Sequence, residues 1–472
     1  MKTIEKLVKR LFWVPFVLGM VGYWIVLGLP FLDSVYATSA LYFINPAEDV
    51  TNAWVLASKL LAMFVTTSFI LNVLGNVWDR AKHFIWNQRK DSACIYGDNE
   101  SCAKLAETMS HGYYCRDISE AGGFGAHDHI FYFTDEEKGL RCFWNHQKEL
   151  EGKRVFIGLQ KLDPFLMRET QGRDIHFFSI PELTARLYWK ANNLCHELLN
   201  EKKELNIAIL KYDPVGQAIF KYGYMNNLYS LSQKVTYHIW GCTSEQKTFL
   251  RNLDTENSDQ IVTYDADWTD QIEEIGKMDR VIVTQEMPLE IIETLLYENP
   301  LLPIHYYSAT PVGYEKLINA RNLVEFGNLD DILTDENVRQ EKLYRQAKLF
   351  NYDYELRSSG RTCPEQYEEE MEASWRQLNG FKKGSCMARA DHYWIETVMK
   401  QNGAKEEELW EIEHMRWCRF HKINHWKYAK QRDNEKRLHH LLIPYHELSE
   451  REKEKDGIYD ATMKREIDRL IG

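Results

Sequence analysis

The chain has 472 residues, of which 27% are charged, and its formal net charge is -12. This length suffices for about three folded units of ordinary size. The negative charge excludes the cationic field that long phosphate backbones require, so polymeric nucleic acid is not an expected partner, whereas a few local donors suffice to bind one nucleotide. The nine cysteines form no C-x-x-C pair, which predicts reduced thiols rather than a zinc site.

Two apolar stretches near the N-terminus predict a transmembrane hairpin. The first, Phe12 to Leu32, contains no charged residue, and the second, Trp54 to Val77, contains only Lys59. Each meets the length of about 20 apolar residues that crosses the hydrocarbon core of a bilayer. A cleaved signal peptide has a shorter apolar core, so we expect both stretches to be retained as spans. Between them, residues 34–43 are interpreted as a short re-entrant or interfacial helix.

Basic residues lie on both outer sides of the hairpin and none lies between the two spans. They are Lys2, Lys6, Lys9, Arg10, Arg80, Lys82, Arg89 and Lys90. Positively charged flanks remain on the cytoplasmic side, so this asymmetry predicts a multi-pass protein of the inner (cytoplasmic) membrane with both termini in the cytoplasm. The lipid bilayer is therefore an expected partner.

Polar side chains form a stripe in the second predicted span. Ser68, Asn72 and Asn76 recur every four residues, which places them on one side of a helix. Such a stripe either holds helices together or lines a wet path in an oligomer, and these three residues are the pore-lining candidates. The hairpin resembles the helix, pore loop, helix unit of two-span cation channels, but it lacks a T-V-G-Y-G carbonyl filter, so potassium selectivity is not predicted.

Strands and helices alternate over residues 91–203 and again over residues 204–357. Predicted strands lie at 93–96, 113–115, 129–133, 154–159 and 174–178, and then at 206–210, 235–240, 280–284, 304–307 and 323–326. Buried strands separated by helical stretches predict parallel sheets covered by helices. The second cycle repeats the order of the first. The order of strands and helices from about Asp91 to Asp335, which follows the predicted two-span hairpin, resembles that of the regulatory Rossmann domains (RCK type). These domains sit beneath two-span channels and potassium-uptake systems.

The glycine fingerprint of a dinucleotide site is degenerate in both units. In the first unit Gly97 fits the first glycine and Asp117 is placed to accept from a ribose hydroxyl, but Asn99 and Cys102 replace the other glycines. In the second unit only Gly216 matches, at the position for close helix–strand packing. We therefore expect that the two units keep the Rossmann fold as a scaffold that oligomerises or transmits strain. NAD binding is the alternative.

A linker near Ser358 to Pro364 separates a C-terminal module, residues 358–472, with helices predicted over 365–377, 388–400 and 406–421. His421 and His425 stand four residues apart, a spacing that places two imidazoles on one helix face. A third ligand is not evident, so no metal site is expected there.

The most specific motifs of the chain lie in this module. They are Glu413-His414-Met415-Arg416-Trp417, Asn424-His425-Trp426-Lys427-Tyr428, Arg432-Asp433, His439, Leu442-Ile443-Pro444-Tyr445, Glu447-Leu448 and Glu452-Lys453-Glu454-Lys455-Asp456. From about Glu411 to Asp460 this pattern resembles the ryanodine-receptor repeat (RyR) domain. It departs from that pattern by an inverted Glu-His pair, by His425 and Ala429 at glycine positions, and by His440 at a proline position. The resemblance implies sensing of a nucleotide-type ligand and no established catalysis.

Aromatic rings in the motif would wall a concave surface, and basic residues would supply donors for phosphate or adenine. The expected ligand-binding residues are Trp417, Arg419, Trp426, Tyr428, Arg432, Asp433, His439, Pro444 and Tyr445. The alternative is that the aromatic residues are the core of a small domain and that Arg432 and Asp433 form a structural ion pair. The ligand expected in such a pocket is NAD or a nucleotide of the ADP-ribose type, and no other cofactor is predicted.

The predicted architecture is an α-helical two-span membrane hairpin (1–90), followed by tandem α/β Rossmann-like domains (91–203 and 204–357) and a small, mainly helical RyR-type domain (358–472). The leading hypothesis is a ligand-gated, channel-like membrane effector in ion homeostasis or antiphage defence, the latter by analogy. It would be a homo-oligomer, because two helices cannot enclose a pore. The alternatives are a membrane-tethered sensing scaffold without a pore and an enzyme acting on NAD or a related nucleotide. No catalytic residues are predicted, since no nucleophile has a general base beside it.

Overall fold

The structure, a computed structural model, describes residues 12–43, 52–116, 124–160, 174–202, 204–285, 288–318, 321–339 and 341–471. The chain divides into two compact units, Met1–Arg89 and Lys90–Gly472.

The described residues of the N-terminal unit form three helices. They are α1 (Val14–Met20), which continues as a π-helical turn (Val21–Val26), then α2 (Phe31–Ala40), which ends in a 3-10 turn (Leu41–Phe43), and α3 (Ala53–Trp86). Among the described residues, one helix is long and apolar enough to cross a membrane by length and composition, namely the Ala53–Leu71 part of α3. The helical segment Val14–Val26 spans only about 20 Å at 1.5 Å per residue.

The first predicted span is not one continuous helix. Gly28 adopts a left-handed backbone conformation (φ 72°), and Pro30, which has no N–H to donate, directly precedes α2. The prediction of an unbroken span from Phe12 to Leu32 therefore differs from the structure, because helix continuity is lost after Val26. The short helix predicted over residues 34–43 corresponds to α2 and its 3-10 turn. Its depth in a bilayer stays a prediction.

Small and hydroxyl side chains pack the three helices together. A Cβ atom on Gly19 would lie 2.6 Å from Thr38 Cγ2, so α1 and α2 are in close contact there. Ser58 Oγ donates to the Pro15 carbonyl at 2.5 Å, and Asn52 Nδ2 donates to the Gly22 carbonyl at 3.0 Å. Glycine and hydroxyl residues serve this purpose between membrane helices because they allow close approach and supply hydrogen bonds.

The pore-lining candidates all lie on α3. Ser68 is half-buried there. The backbone of α3 also includes residues 72 and 76, but the side chains of Asn72 and Asn76 lie outside the described part of the chain, so their pore-lining role stays a prediction.

The second unit begins with a five-stranded, all-parallel sheet in the order β2-β1-β3-β4-β5. Its strands are β1 (Ala93–Gly97), β2 (Gly112–Cys115), β3 (Asp128–Tyr132), β4 (Arg154–Leu159) and β5 (Ile175–Ser179), and its helices are α4 (Glu100–Glu107), α5 (Glu136–Asn145) and α6 (Ile180–Ala191). Strands β1 and β3 are buried at every residue, as is typical of a parallel sheet covered on both faces.

A six-stranded parallel sheet follows, in the order β11-β10-β9-β6-β7-β8. Its strands are β6 (Glu204–Ile209), β7 (Lys234–Ile239), β8 (Gln260–Thr263), β9 (Arg280–Val283), β10 (Ile304–Tyr307) and β11 (Leu323–Phe326). Its helices are α7 (Pro214–Asn226), α8 (Ser244–Arg251), α9 (Ile272–Ile275), α10 (Leu289–Glu298), α11 (Tyr314–Ile318), α12 (Leu329–Ile332) and α13 (Asp335–Arg339), with a π-helical turn (Glu197–Glu201) before β6 and a 3-10 turn (Trp268–Gln271) before α9. This strand order is that of dinucleotide-binding Rossmann folds. The short strand β8 was not predicted.

The C-terminal part is mainly helical. It contains α14 (Glu341–Ser359), α15 (Glu368–Gln377), α16 (Gly380–Gln401), α17 (Glu406–Ile423), α18 (Glu450–Lys453) and α19 (Ala461–Asp468), the two-residue strands β12 (Lys427–Tyr428) and β13 (Leu438–His439), and 3-10 turns at Tyr445–Glu447 and Glu454–Asp456. The boundary predicted between residues 357 and 358 falls inside α14. This helix packs with the C-terminal helices, since the ring of Phe350 lies 5.3 Å from that of Tyr393 and Asn351 Nδ2 donates to Ser374 Oγ.

Candidate functional site

A cavity of about 610 Å³ opens between α16, α17 and the segment 424–456. We call it the groove. Helix α14 and residues 378–379 close one side. A volume of several hundred Å³ with mixed aromatic and polar walls is typical of a small-molecule site.

Helical spacing brings one face of α17 to the groove. Glu413, Trp417 and His421 follow one another at intervals of four residues, so their side chains stack along one side of the helix. The chain then reverses at His425, whose φ is 64°, and the Trp426 amide donates to the His421 carbonyl at 3.0 Å. This turn folds the indole of Trp426 back against the end of α17.

The aromatic wall of the groove consists of closely packed rings. Phe381 and Trp426 stack with centroids 4.9 Å apart and an interplanar angle of 23°. The ring of Trp417 lies 4.0 Å from that of His421 and 4.9 Å from that of His439. Trp417 is half-buried, so part of its indole remains available to a flat ligand.

Cationic side chains outnumber acidic ones along the groove. Six cations, Lys382, Arg389, Arg416, Arg432, Arg437 and Lys455, face four carboxyls, Glu413, Glu435, Glu452 and Asp456. Burial raises the pKa of the Asp456 carboxyl well above its usual range, which reduces its negative charge near neutral pH. The groove therefore carries local positive charge although the whole chain is acidic, and this favours an anionic ligand.

A buried polar cluster lies where α16 and α17 pack together beside the groove. The nearest ligand atoms of His392, Glu396 and Glu413 lie within 4.8 Å of one another. Both oxygens of Glu413 accept from Arg416, at 2.7 and 2.8 Å, and Arg389 Nε lies 3.5 Å from one of them. Burial lowers the pKa of His392 to about 4 and raises that of Glu396 to about 8. Two guanidinium groups at Glu413 oppose cation binding, so we interpret the cluster as a structural network.

The structure places the nine predicted ligand-binding residues in different surroundings. Trp417, Trp426, Arg432 and His439 line the groove. Arg419 is fully buried on another side of α17, where its guanidinium donates to the carbonyls of Tyr224 and Thr255 and to the side chains of Asn257 and Asp259. Its predicted role as a ligand donor does not agree with this position.

The other four predicted residues also lie outside the groove. Tyr428 is 55% exposed, and Asp433 caps its own turn by accepting from the amides of Glu435 and Lys436. Pro444 precedes the 3-10 turn Tyr445–Glu447, and the buried ring of Tyr445 lies 5.3 Å from Lys453 Nζ.

Several groove residues were not predicted. Helix α16 supplies Phe381, Lys382 and Arg389, and Arg437 comes from the turn before β13. The resemblance extends to Lys382, Asp391 and His392 of α16 as a lead-in to the domain, but the predicted ligand contacts all lie after Glu411. Only the tertiary packing of α16 against α17 reveals their participation.

The crevice of the first Rossmann-like sheet, at the carboxyl ends of β1 and β3, is bridged by its own side chains. Asp98 accepts from the Thr134 amide and from Lys138 Nζ, both at 2.9 Å, and Asn99 caps α4 by accepting from the Cys102 amide at 3.1 Å. A carboxylate stands where a pyrophosphate would bind, which disfavours the dinucleotide. Asp117 lies outside the described residues, so its predicted contact with ribose stays a prediction.

The corresponding crevice of the second sheet, between β6 and β9, is also bridged by hydrogen bonds within the described part of the chain. Thr284 Oγ1 donates to the Lys211 carbonyl at 2.9 Å, and Asp213 caps α7 by accepting from the Gly216 amide at 2.9 Å. A Cβ atom on Gly216 would lie 2.0 Å from the Lys211 carbonyl oxygen, so this glycine has the close-packing role predicted for it. Neither helix N-terminus offers an uncapped cradle for phosphate.

His421 and His425, the two histidines considered as metal ligands, lie in different surroundings. His421 lines the groove and donates from Nδ1 to the Trp417 carbonyl at 2.9 Å. His425 packs instead on Phe249 of the second Rossmann-like unit, with ring centroids 4.4 Å apart. The turn at the end of α17 separates them.

Comparison with known proteins identifies part of the chain. A solved structure, that of one of the subunits of dipicolinate synthase from Bacillus halodurans, is similar to 52% of this chain and 95% of its own chain at 11% identity, with a TM-score of 0.24. No curated protein matches. Residues 397–467 match the family model of the RyR domain, and this range includes all of α17 and the groove segment 424–456. The chain therefore contains an RyR domain, joined to two parallel α/β sheets of Rossmann type.

Proposed function

We propose that the chain is a ligand-gated membrane effector: the groove of the RyR module binds a small nucleotide-type ligand, and the rearrangement reaches the N-terminal helices in a homo-oligomer. The single observation that carries this proposal is the composition of the groove, in which an aromatic wall lies beside an excess of cationic side chains. A nucleotide combines a flat ring with anionic groups and matches both features.

Contacts on the far sides of the groove helices support transmission. On α16, Asp391 accepts from Arg186 of α6 at 2.9 and 3.1 Å and from Asn226 of α7 at 3.1 Å. On α17, Arg419 and Lys422 bind the 254–259 segment of the second Rossmann-like unit. A shift of either helix on ligand binding would therefore move side chains that contact the two α/β units directly.

The surface of the N-terminal unit supports insertion into lipid. Large apolar side chains there are more than 60% exposed, among them Ile25, Leu32, Phe43, Phe69, Leu71 and Trp78. Apolar surface of this extent is costly in water and is covered either by acyl chains or by neighbouring subunits. This unit, with the α3 helix, is the part that would respond to the ligand.

Binding is tested with the full-length protein in detergent, titrated with ADP-ribose, NAD and ATP by calorimetry. We expect at least one of them to bind and Trp417→Ala to weaken binding about tenfold to a hundredfold, because loss of one stacked ring costs about 1–3 kcal/mol. Tyr428→Ala is the matched control, since Tyr428 is an exposed aromatic residue of the same domain outside the groove.

Gating is tested separately in liposomes loaded with a fluorescent dye. We expect leakage from wild-type proteoliposomes on addition of the bound nucleotide, loss of leakage with Trp417→Ala, and wild-type leakage with Tyr428→Ala. Binding without leakage would contradict gating and support the tethered scaffold instead. Conversion of NAD by the purified chain would support an enzyme, and no binding of any of the three nucleotides would overturn the proposed function.

A further inference from the structure

Two neutral imidazoles of the aromatic wall have their proton positions fixed by backbone partners. The first is His421. Its Nδ1 lies 2.9 Å from the Trp417 carbonyl oxygen, and a carbonyl only accepts, so Nδ1 carries the hydrogen. Burial lowers the pKa of His421 to about 3, so the ring is neutral at neutral pH and Nε2 retains its lone pair.

The second imidazole, His439, has the opposite arrangement. The Leu441 amide donates to His439 Nδ1 at 3.1 Å, so Nδ1 carries the lone pair and Nε2 carries the hydrogen. Burial lowers the pKa of His439 to about 4, which keeps this ring neutral as well. The aromatic wall thus has one imidazole, His421, whose remaining nitrogen accepts and one, His439, whose remaining nitrogen donates.

The two rings are neighbours within the aromatic wall. Their centroids are 5.7 Å apart, and both rings contact Trp417 and Trp426. A flat ligand that stacks on an indole there would bring its edge to both imidazoles.

We propose that His421 and His439 select the base of the ligand: they recognise a heterocycle that presents a hydrogen-bond donor next to an acceptor, as adenine does with its 6-amino group and ring nitrogen. His421 Nε2 accepts from the amino group, and His439 Nε2–H donates to the ring nitrogen. This inference rests on the proposed function, because it concerns the base end of the same nucleotide-type ligand.

The same geometry disfavours a phosphate at this position. The Nε2 lone pair of His421 would face an anionic oxygen without a proton between them, which is repulsive. Phosphate groups instead find guanidinium groups along the groove, such as those of Arg432 and Arg437. The imidazole pair therefore fixes the orientation of the ligand as well as the identity of its base.

The test compares ADP-ribose with 1,N6-etheno-ADP-ribose on the full-length wild-type protein by calorimetry. The etheno bridge removes the amino donor and blocks the adjacent ring nitrogen, but it leaves a stackable ring and both phosphates. We expect the etheno derivative to bind about tenfold to a hundredfold more weakly, because a buried acceptor and donor lose their partners. Equal affinity for the two ligands would overturn this inference while leaving the proposed function in place.

Substitutions of His421 and His439 test whether the difference in affinity between the two ligands arises from their imidazoles. His421→Phe and His439→Phe keep an aromatic ring in the wall, and we expect each to weaken ADP-ribose binding about tenfold while changing the affinity for the etheno derivative less than threefold. His446→Phe is the control, because His446 is an exposed histidine that does not line the groove. An equal loss of affinity for both ligands would show that the imidazoles only pack in the wall, and it would overturn base selection. Failure of wild-type protein to bind ADP-ribose, NAD or ATP would overturn the proposed function and this inference together.

Discussion

Arg419 of α17 and Asp259, directly before β8, form a buried ion pair with 2.9 Å between Nη2 and Oδ2. The guanidinium also donates to the Thr255 and Tyr224 carbonyls, so its hydrogen-bonding capacity is largely used inside the protein. Asp259 in turn accepts from the Val235 amide at 2.6 Å. The pair therefore joins the RyR domain to the edge of the second parallel sheet.

Removal of this arginine is expected to destabilise the protein strongly. Arg419→Ala leaves the Asp259 carboxylate buried without its cation, which costs about 3–5 kcal/mol when one partner of a buried pair is lost. Urea unfolding of the full-length protein, followed by tryptophan fluorescence, measures the change. Arg432→Ala is the matched control, because Arg432 is exposed and its loss should change the unfolding free energy by less than about 1 kcal/mol. Equal effects of the two variants would contradict the structural role of Arg419.

A methyl group at Gly216 is expected to disrupt the second sheet. Its Cβ would lie 2.0 Å from the Lys211 carbonyl oxygen, so β6 and α7 would have to separate. We expect Gly216→Ala to lower the unfolding free energy by about 3 kcal/mol or more.

Gly152→Ala provides the comparison for this change. Gly152 has φ 75° and no atom within 4 Å of an added Cβ, so this variant suffers backbone strain of about 1–2 kcal/mol without a clash. The same urea titration compares both variants. A smaller effect at Gly216 than at Gly152 would contradict the close contact.

The buried acid Glu396 is expected to make stability fall as the pH rises. Burial and the nearby Glu413 raise the pKa of Glu396 to about 8. The folded state therefore holds a proton that the unfolded chain releases near pH 4.5, and stability declines from about pH 4.5 up to pH 8. Glu396→Gln replaces the protonated acid by a neutral side chain of the same shape.

We expect the melting temperature of Glu396→Gln relative to wild type to increase between pH 5 and pH 8. Differential scanning fluorimetry across this range measures it. Glu435→Gln is the control, because Glu435 is exposed and its substitution should leave the pH profile unchanged. A constant difference between wild type and Glu396→Gln at all pH values would show that Glu396 does not titrate in this window.

The unit from Lys90 onward is expected to fold without the N-terminal unit. It forms its own compact body, and the two parallel sheets and the RyR domain lie entirely within it. We expect residues 90–472, expressed alone, to remain monodisperse without detergent and to unfold cooperatively. Size-exclusion chromatography and calorimetry measure both properties. Aggregation in the absence of detergent would contradict the division of the chain into two units that fold independently.

Hydrophobic periodicity predicted most of the α/β framework. Buried runs such as Arg154–Leu159 and Ile304–Tyr307 were placed to the residue, because strands buried on both faces are nearly continuous apolar segments between turn residues. Strand β8 was missed because Gln260–Thr263 is a partly exposed edge strand with little apolar signal. The division of the first apolar stretch was missed because composition alone does not report the left-handed Gly28.

The candidate site was harder to predict than the fold. Trp417 and Arg419 are two residues apart in the sequence, and two helical steps of about 100° point them to different sides of α17. A motif resemblance does not reveal this divergence. The groove residues of α16 were inaccessible to the same reasoning, because they approach α17 only through tertiary packing.

The boundaries of the RyR match also bear on how this domain can be handled. The match begins at Thr397, inside α16, which runs from Gly380 to Gln401. A fragment cut there would lose Phe381 and Arg389 from the groove and would leave Arg419 without Asp259. The segment that sequence comparison recognises is thus shorter than the set of elements that encloses the groove. Any transplant of this domain to another protein has to carry α16 and the 254–259 loop with it.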